Sequence, residues 1–339
     1  MKYKVVGTGM GKLRRLLNPP VFQGTLKEKA YFEGWYLKNV SSDLSSVISF
    51  IPGISLSKKS HSFVQVIDGV AGWTEYFEFP AEKFRPEKDR FEVSVGPNRF
   101  SSNGLEVDLK GNGHRIEGRL DFKDPAPFPK RFISPGIMGW YTFVPGMECY
   151  HGVVSMGHGL EGELSVDGEA MVFDGGKGYI EKDWGRSFPE TWIWLQCNNF
   201  DNEDISLMFS VAKIPWLGRH FTGFLSFLKT GEEVYRFATY TGAKVTGFLL
   251  DGERMELEIE DRKFRLSIEA VQRKAGELAA PVHGSMDRRI KESVDSDVRI
   301  ELRDKKGNVK VASIGHRAGL EIMGEIHKLG LPSFRPRGK

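Results

Sequence analysis

Apolar and polar residues alternate with period two through most of this sequence, and helical spacing is scarce. Such alternation sends successive side chains to opposite faces of a strand. Residues 62–67 and 76–79 read as strands around a Gly-rich bend at 68–72. Asn103-Gly104 sits between two strand-like runs, the sequence of a tight hairpin. In the last third, 205–211, 221–228, 236–240, 254–259 and 263–268 are strand-like, and 298–302 is expected to pair with 308–314. The modest helix candidates are 288–292 and 320–328, the second weakened by Gly324. Short strands separated by turn signals imply an all-β barrel or sandwich. A barrel of about eight strands holds one small ligand, and this 339-residue chain has strands enough for two antiparallel units with few short helices. The Pro-rich stretch 124–136 reads as an extended connection. A boundary is expected in the Gly-rich 157–162, giving units of 1–160 and 161–339.

Composition removes several classes of function. A net charge of +3, with no basic stripe, argues against nucleic acid. The two cysteines, Cys149 and Cys197, make neither a disulfide framework nor a zinc site and read as buried thiols. The eight histidines are dispersed, so no metal is expected. Residues 7–12 imitate a dinucleotide loop but carry lysine where the third glycine is required. No Gly-x-Ser-x-Gly elbow supports a hydrolase. Met1 to Pro20 lacks the apolar region of a signal peptide, and no run approaches the roughly 20 apolar residues of a membrane span. The expectation is a soluble cytoplasmic protein. Its one candidate for peripheral membrane contact is a short basic turn at 10–17, and 335–339 reads as a frayed basic tail.

Chemistry concentrates in a few aromatic segments. In Tyr179-Ile180-Glu181-Lys182-Asp183-Trp184, a strand would put Glu181 and Asp183 on one face, Lys182 and Trp184 on the other. A carboxyl buried among indoles keeps its proton and can donate it to an alkene. The competing reading is a solvated turn in which Lys182 pairs with an acidic neighbour. Trp192, Trp194 and Gln196 project together, either as a wall for a greasy ligand or as a seal on the core. In Glu33-Gly34-Trp35-Tyr36, Glu33 is either a second acid or half of an edge-strand salt bridge, and Gly34 suggests a bulge or close backbone approach. His151 is either a base near a substrate hydroxyl or a satisfied core or rim residue.

These segments resemble the tocopherol cyclase family. That family carries Glu-Gly-Trp-Tyr near the start and Glu-Lys-Asn/Asp-Trp-Gly…Phe-Pro…Trp-x-Trp-x-Gln-x-Asn in the middle. Here they read Glu33 to Tyr36, Glu181 to Gly185, Phe188-Pro189 and Trp192 to Asn198. A third match joins Gly139-Trp140-Tyr141 to Glu148-Cys149-Tyr150-His151-Gly152. The likeness runs from about Phe22 to about Gly324. It implies a double lipocalin-like β architecture, related to the carotenoid hydratases. It also implies acid-initiated cyclisation of a prenylated quinol through a tertiary carbocation, with no redox cofactor. On this likeness Asp183 or Glu181 is the proton donor. Trp35, Trp140, Trp184, Trp192 and Trp194 form the aromatic wall. Tyr36 contacts the substrate, and Tyr150, His151, Gln196 and Asn198 hold its head group or relay its proton. Some relatives have Asn at the place of Asp183, which gives Glu181 weight. Alkene hydration, or carriage of an isoprenoid without turnover, are the alternatives. All require an apolar cavity, and the enzyme also requires a carboxyl pointing into it.

Overall fold

The computed structural model describes residues 13–334 except 112, 203 and 217. The dinucleotide-loop imitation at 7–12, residues 10–12 of the basic turn and the tail at 335–339 lie outside the described residues.

Two antiparallel sheets, of twelve and ten strands, follow one plan. In the first, strand Tyr31–Val40 opens a meander whose neighbours on either side are Val47–Leu56 and the last strand, Gly176–Gly185. In the second, Trp192–Cys197 lies between Ile205–Trp216 and the last strand, Val309–Met323. Joining first strand to last curls each sheet around its own apolar core, the lipocalin-like arrangement. One core gathers Trp35, Phe50, Phe100 and Trp184, the other Leu195, Phe209, Leu257 and Leu302.

A third apolar cluster lies between the sheets and includes Tyr36, Met138, Tyr179, Trp192, Trp194 and Ile290. The first and last strands of each unit are therefore covered on both faces. All six residues of Trp192–Cys197 are buried. Strands covered twice read as continuous rather than alternating runs, which is why these segments mix aromatic, apolar and charged residues.

Each unit also reaches over the other. The connection from strand Arg115–Lys123 to strand Cys149–Val166 crosses to the second unit, where Tyr240 donates to the Ile137 carbonyl and Arg236 to Ser134. In return, the hairpin of Gly276–Val282 and the start of Ser285–Asp304 lies against the first unit. Gln65 exchanges two hydrogen bonds with the Ala279 backbone, and Ser55 donates to the Gly284 carbonyl.

Two expectations are corrected. Residues 288–292 and 320–323 are not helical; they belong to strands Ser285–Asp304 and Val309–Met323, with a short 3-10 turn at Ile326–Leu329. Partners on both sides override weak helical spacing. Strand Cys149–Val166 runs unbroken through the Gly-rich 157–162, so the chain passes from one sheet to the other between Gly185 and Trp192 rather than near residue 160. The expected hairpin at Asn103-Gly104 and the pairing of 298–302 with 308–314 are both present.

Candidate active site between the two sheets

Where the two sheets meet, their facing side chains leave a cavity of about 180 Å³. Its walls are mostly apolar and aromatic, among them Phe32, Phe63, Met138, Phe188, Trp192 and Trp194. Gly34 and Gly223 add surface without side chains. Set into these walls are four carboxyl groups and one imidazole: Glu181, Asp183, Glu292, Glu321 and His151.

Of the two expected acids that line the cavity, Glu181 is the deeper, with its side chain 5% exposed. Strand alternation points it, with Tyr179 and Asp183, away from the first core and into the cavity side. The Tyr179 hydroxyl donates to Glu181 Oε2 at 2.8 Å and the Trp194 indole N–H at 3.2 Å. Burial raises the Glu181 pKa to about 7; the His151 charge and the two donors restrain the rise, while Asp183 adds to it. An ordinary glutamate is ionised near neutrality, whereas this one still holds its proton for much of the time.

Asp183, at 26% exposure, stands nearer the rim. It lies 2.9 Å from His151 Nδ1, and His151 Nε2 lies 3.6 Å from Glu181 Oε2. Burial pulls the imidazole pKa down, but the Glu181 and Asp183 charges and the Asp183 hydrogen bond outweigh it and carry it up to about 9. Asp183 thus orients the ring and His151 faces Glu181. Among the described residues, His151, Glu181 and Asp183 also form a group able to offer one metal ligand each, the atoms lying within 4.8 Å of one another. A cation there would favour ionised carboxylates and so compete with the proton on Glu181.

Trp192 and Trp194, expected as part of an aromatic wall, both line the cavity. Trp194 packs edge-on to Tyr36 and Trp192 edge-on to Phe188. A β-carbon at Gly319 would come within 2.6 Å of the Trp194 ring, so a glycine there gives the indole its place. Trp194→Ala should weaken binding of a fluorescent prenyl-quinone by about tenfold, since a lost aromatic wall costs on the order of 1.5 kcal/mol. Unchanged affinity in a titration would place that ring outside the ligand's contact.

Other candidates stand elsewhere. Glu33 points into the first unit, where it pairs with Lys182 at 2.6 Å, both side chains fully buried. Trp35 and Trp184 share that interior and flank the Lys182 ammonium at 4.9 and 4.6 Å. They face opposite to Tyr36 and Asp183 because neighbouring strand residues alternate. Tyr150 stacks on Trp184 and donates to the Val144 carbonyl. Trp140 is 52% exposed on a 3-10 turn and packs on Tyr141. Gln196 and Asn198 form a buried tie between the sheets: Lys38 donates to Gln196, Gln196 to Asn198, and Asn198 to the Gly178 carbonyl. Cys197 is buried, as expected, but Cys149 is only partly so and lines the cavity.

Glu292 and Glu321 were not foreseen because their strands carried helical readings. A signal was present: Ile290, Glu292 and Val294 alternate with Lys291 and Ser293.

A family model described as tocopherol cyclase-like matches residues 126–324. The chain is 27% identical over 198 residues to "Tocopherol cyclase, chloroplastic" of Zea mays, covering 55% of this chain and 41% of that protein. It is 27% identical over 207 residues to "Probable tocopherol cyclase, chloroplastic" of Oryza sativa subsp. japonica, covering 55% and 42%. The chain thus spans about two fifths of the length of these curated relatives. Among solved structures, CghA aligns with a TM-score of 0.55 at 11% identity, over 87% of this chain and 89% of that one. A candidate AttH protein from Nitrosomonas europaea aligns with a TM-score of 0.50 at 12% identity, over 86% and 92%. These structural likenesses concern the fold. No helix among the described residues is long and apolar enough to cross a membrane.

Proposed function

This chain belongs to the tocopherol cyclase-like family, and from that premise we propose that it protonates the alkene of a prenylated quinol or similar isoprenoid and closes a ring on the resulting tertiary cation. One observation carries this reading: a buried carboxyl with a raised pKa, Glu181, lines an apolar cavity beside Trp194. A carrier needs the apolar walls but has no use for that acid.

In the proposed step Glu181 gives its proton to one alkene carbon, and the π pair becomes the new C–H bond. The positive charge develops on the tertiary carbon, next to the carboxylate that Glu181 becomes. Trp192 and Trp194 offer π faces worth roughly 0.5–2 kcal/mol each to a cation. That contribution is small beside the cost of protonating an alkene, so the acid and the electrostatics of its conjugate base carry most of the rate. His151, held by Asp183, faces Glu181 and stabilises the carboxylate formed. A hydroxyl of the substrate then closes on the cation.

Activity should therefore follow the neutral form of Glu181. With its pKa raised to about 7, kcat is expected to fall about tenfold per pH unit above it. A pH–rate profile on dimethyl-phytylbenzoquinol checks this; a rate that rises through pH 7 would contradict the acid. Hydration is the second reading, because Asp183 at the rim is exposed enough to hold a water. Mass spectrometry in oxygen-18 water separates the two, since a hydratase incorporates the label and a cyclase does not.

A further inference from the structure

The two units present the same arrangement to the cavity. In the first, Asp183 on the last strand lies directly between Gly34 on the first strand and His151 on Cys149–Val166. In the second, Glu321 on the last strand lies directly between Trp194 on the first strand and Glu292 on Ser285–Asp304. Each unit therefore supplies one cross-strand titratable pair at the equivalent place in its sheet, and both pairs line one cavity.

The second pair is built to keep a proton. Glu292 is 1% and Glu321 9% exposed. Among the described residues no lysine or arginine forms an ion pair with either. The nearby Arg288 lies over the Trp192 ring and gives its donors to the Pro189 and Glu190 carbonyls. The Tyr36 hydroxyl donates to Glu292 Oε1 at 2.7 Å, and the Trp192 indole N–H to Glu321 Oε2. The two residues stand directly opposite each other in the strand register, and among the described residues neither has a cationic partner. Two buried carboxyls side by side cannot both be ionised at low cost, so one holds a proton. Burial, with the neighbouring carboxyl charge, raises the Glu292 pKa far above its ordinary range, and burial lifts Glu321 to about 7.

We propose that Glu292 and Glu321 share one proton and are the acceptor for the second proton transfer, taking the hydrogen that the substrate hydroxyl releases as its oxygen bonds to the cation. This rests on the reading of Glu181 as the acid. The balance closes: Glu181 loses one proton to carbon, and an oxygen lone pair forms the C–O bond. The O–H bond then breaks, and its proton brings the pair from one shared proton to two. The surplus proton returns to Glu181 through water when product leaves. The two units thereby divide the reaction, one giving the proton and the other receiving it.

The test uses the full chain with dimethyl-phytylbenzoquinol in deuterated water. Glu292→Gln and Glu321→Gln keep an oxygen for the Tyr36 and Trp192 donors but cannot take up a proton. Each is expected to lower kcat at least a hundredfold, with quinol affinity, read from tryptophan quenching, within about threefold of wild type. Recovered quinol should carry deuterium on its prenyl alkene carbon, because protonation continues while capture stalls. Glu181→Gln should show no such exchange. Wild-type chromanol rates in both variants would overturn the proposal alone. So would a loss of kcat with failed binding or unlabelled quinol, the mark of a structural role. A wild-type protein that neither converts nor labels the quinol would overturn the acid reading and this proposal with it.

Discussion

Glu181→Gln is expected to lower chromanol formation from dimethyl-phytylbenzoquinol by about 10²–10⁴-fold, the usual contribution of a positioned acid. The substitution should leave the fold and the pocket nearly unchanged. Glutamine retains an oxygen to accept from Tyr179 and Trp194, which now donate to Glu181 Oε2. It also removes the charge that a buried carboxylate would bring, so stability should hold or rise. Asp183→Asn is the informative companion. Asp183 reaches the site through His151, at 2.9 Å from its Nδ1. Its replacement should cost less, on the order of tenfold, because the imidazole loses its orientation while the acid remains. Steady-state kinetics on both variants, with binding measured separately, checks the ranking. If Asp183→Asn abolished turnover and Glu181→Gln did not, the roles would be exchanged.

Glu33→Gln should do the opposite: unfold the protein more readily without touching the chemistry. Its carboxylate pairs with Lys182 at 2.6 Å where both are fully buried. It also accepts the Gln23 and Gly24 backbone N–H groups and the Tyr31 hydroxyl, tying the segment before the first strand to the sheet. Burial pulls the Lys182 pKa down to about 8, with Glu33 holding it up. Removing Glu33 strands that ammonium in the first core, a loss of about 3–5 kcal/mol. Lys182→Met in the same chain should recover much of it, since neither charge is then buried alone. Denaturant unfolding of the single and double variants measures this. A Glu33→Gln protein of wild-type stability that had lost activity would make Glu33 the acid after all.

The sequence made the β architecture readable because most strands have one wet face, so alternation survives, and because hairpins such as Asn103-Gly104 carry their own turn chemistry. The site was legible where face and motif agreed: Glu181, Asp183, Trp192 and Trp194 project as alternation requires. It failed for Glu33, Trp35 and Trp184, since a strand buried on both faces gives no sign of which face meets the ligand. Lys182 made the difference, because its charge drew Glu33 into the core. Glu292 and Glu321 stayed hidden because their partners across the sheet lie about thirty residues apart, and pairing of that kind is a tertiary fact. The placement of the cavity between the units, rather than inside one barrel, has the same origin.

Infrared difference spectroscopy of the ligand-free protein reaches the central claim most directly. Between wild type and Glu181→Gln at pH 6, the spectrum should show a protonated carboxyl band that belongs to residue 181 and fades as pH rises through about 7. A residue 181 that is already a carboxylate at pH 6, with the band absent, would contradict the account.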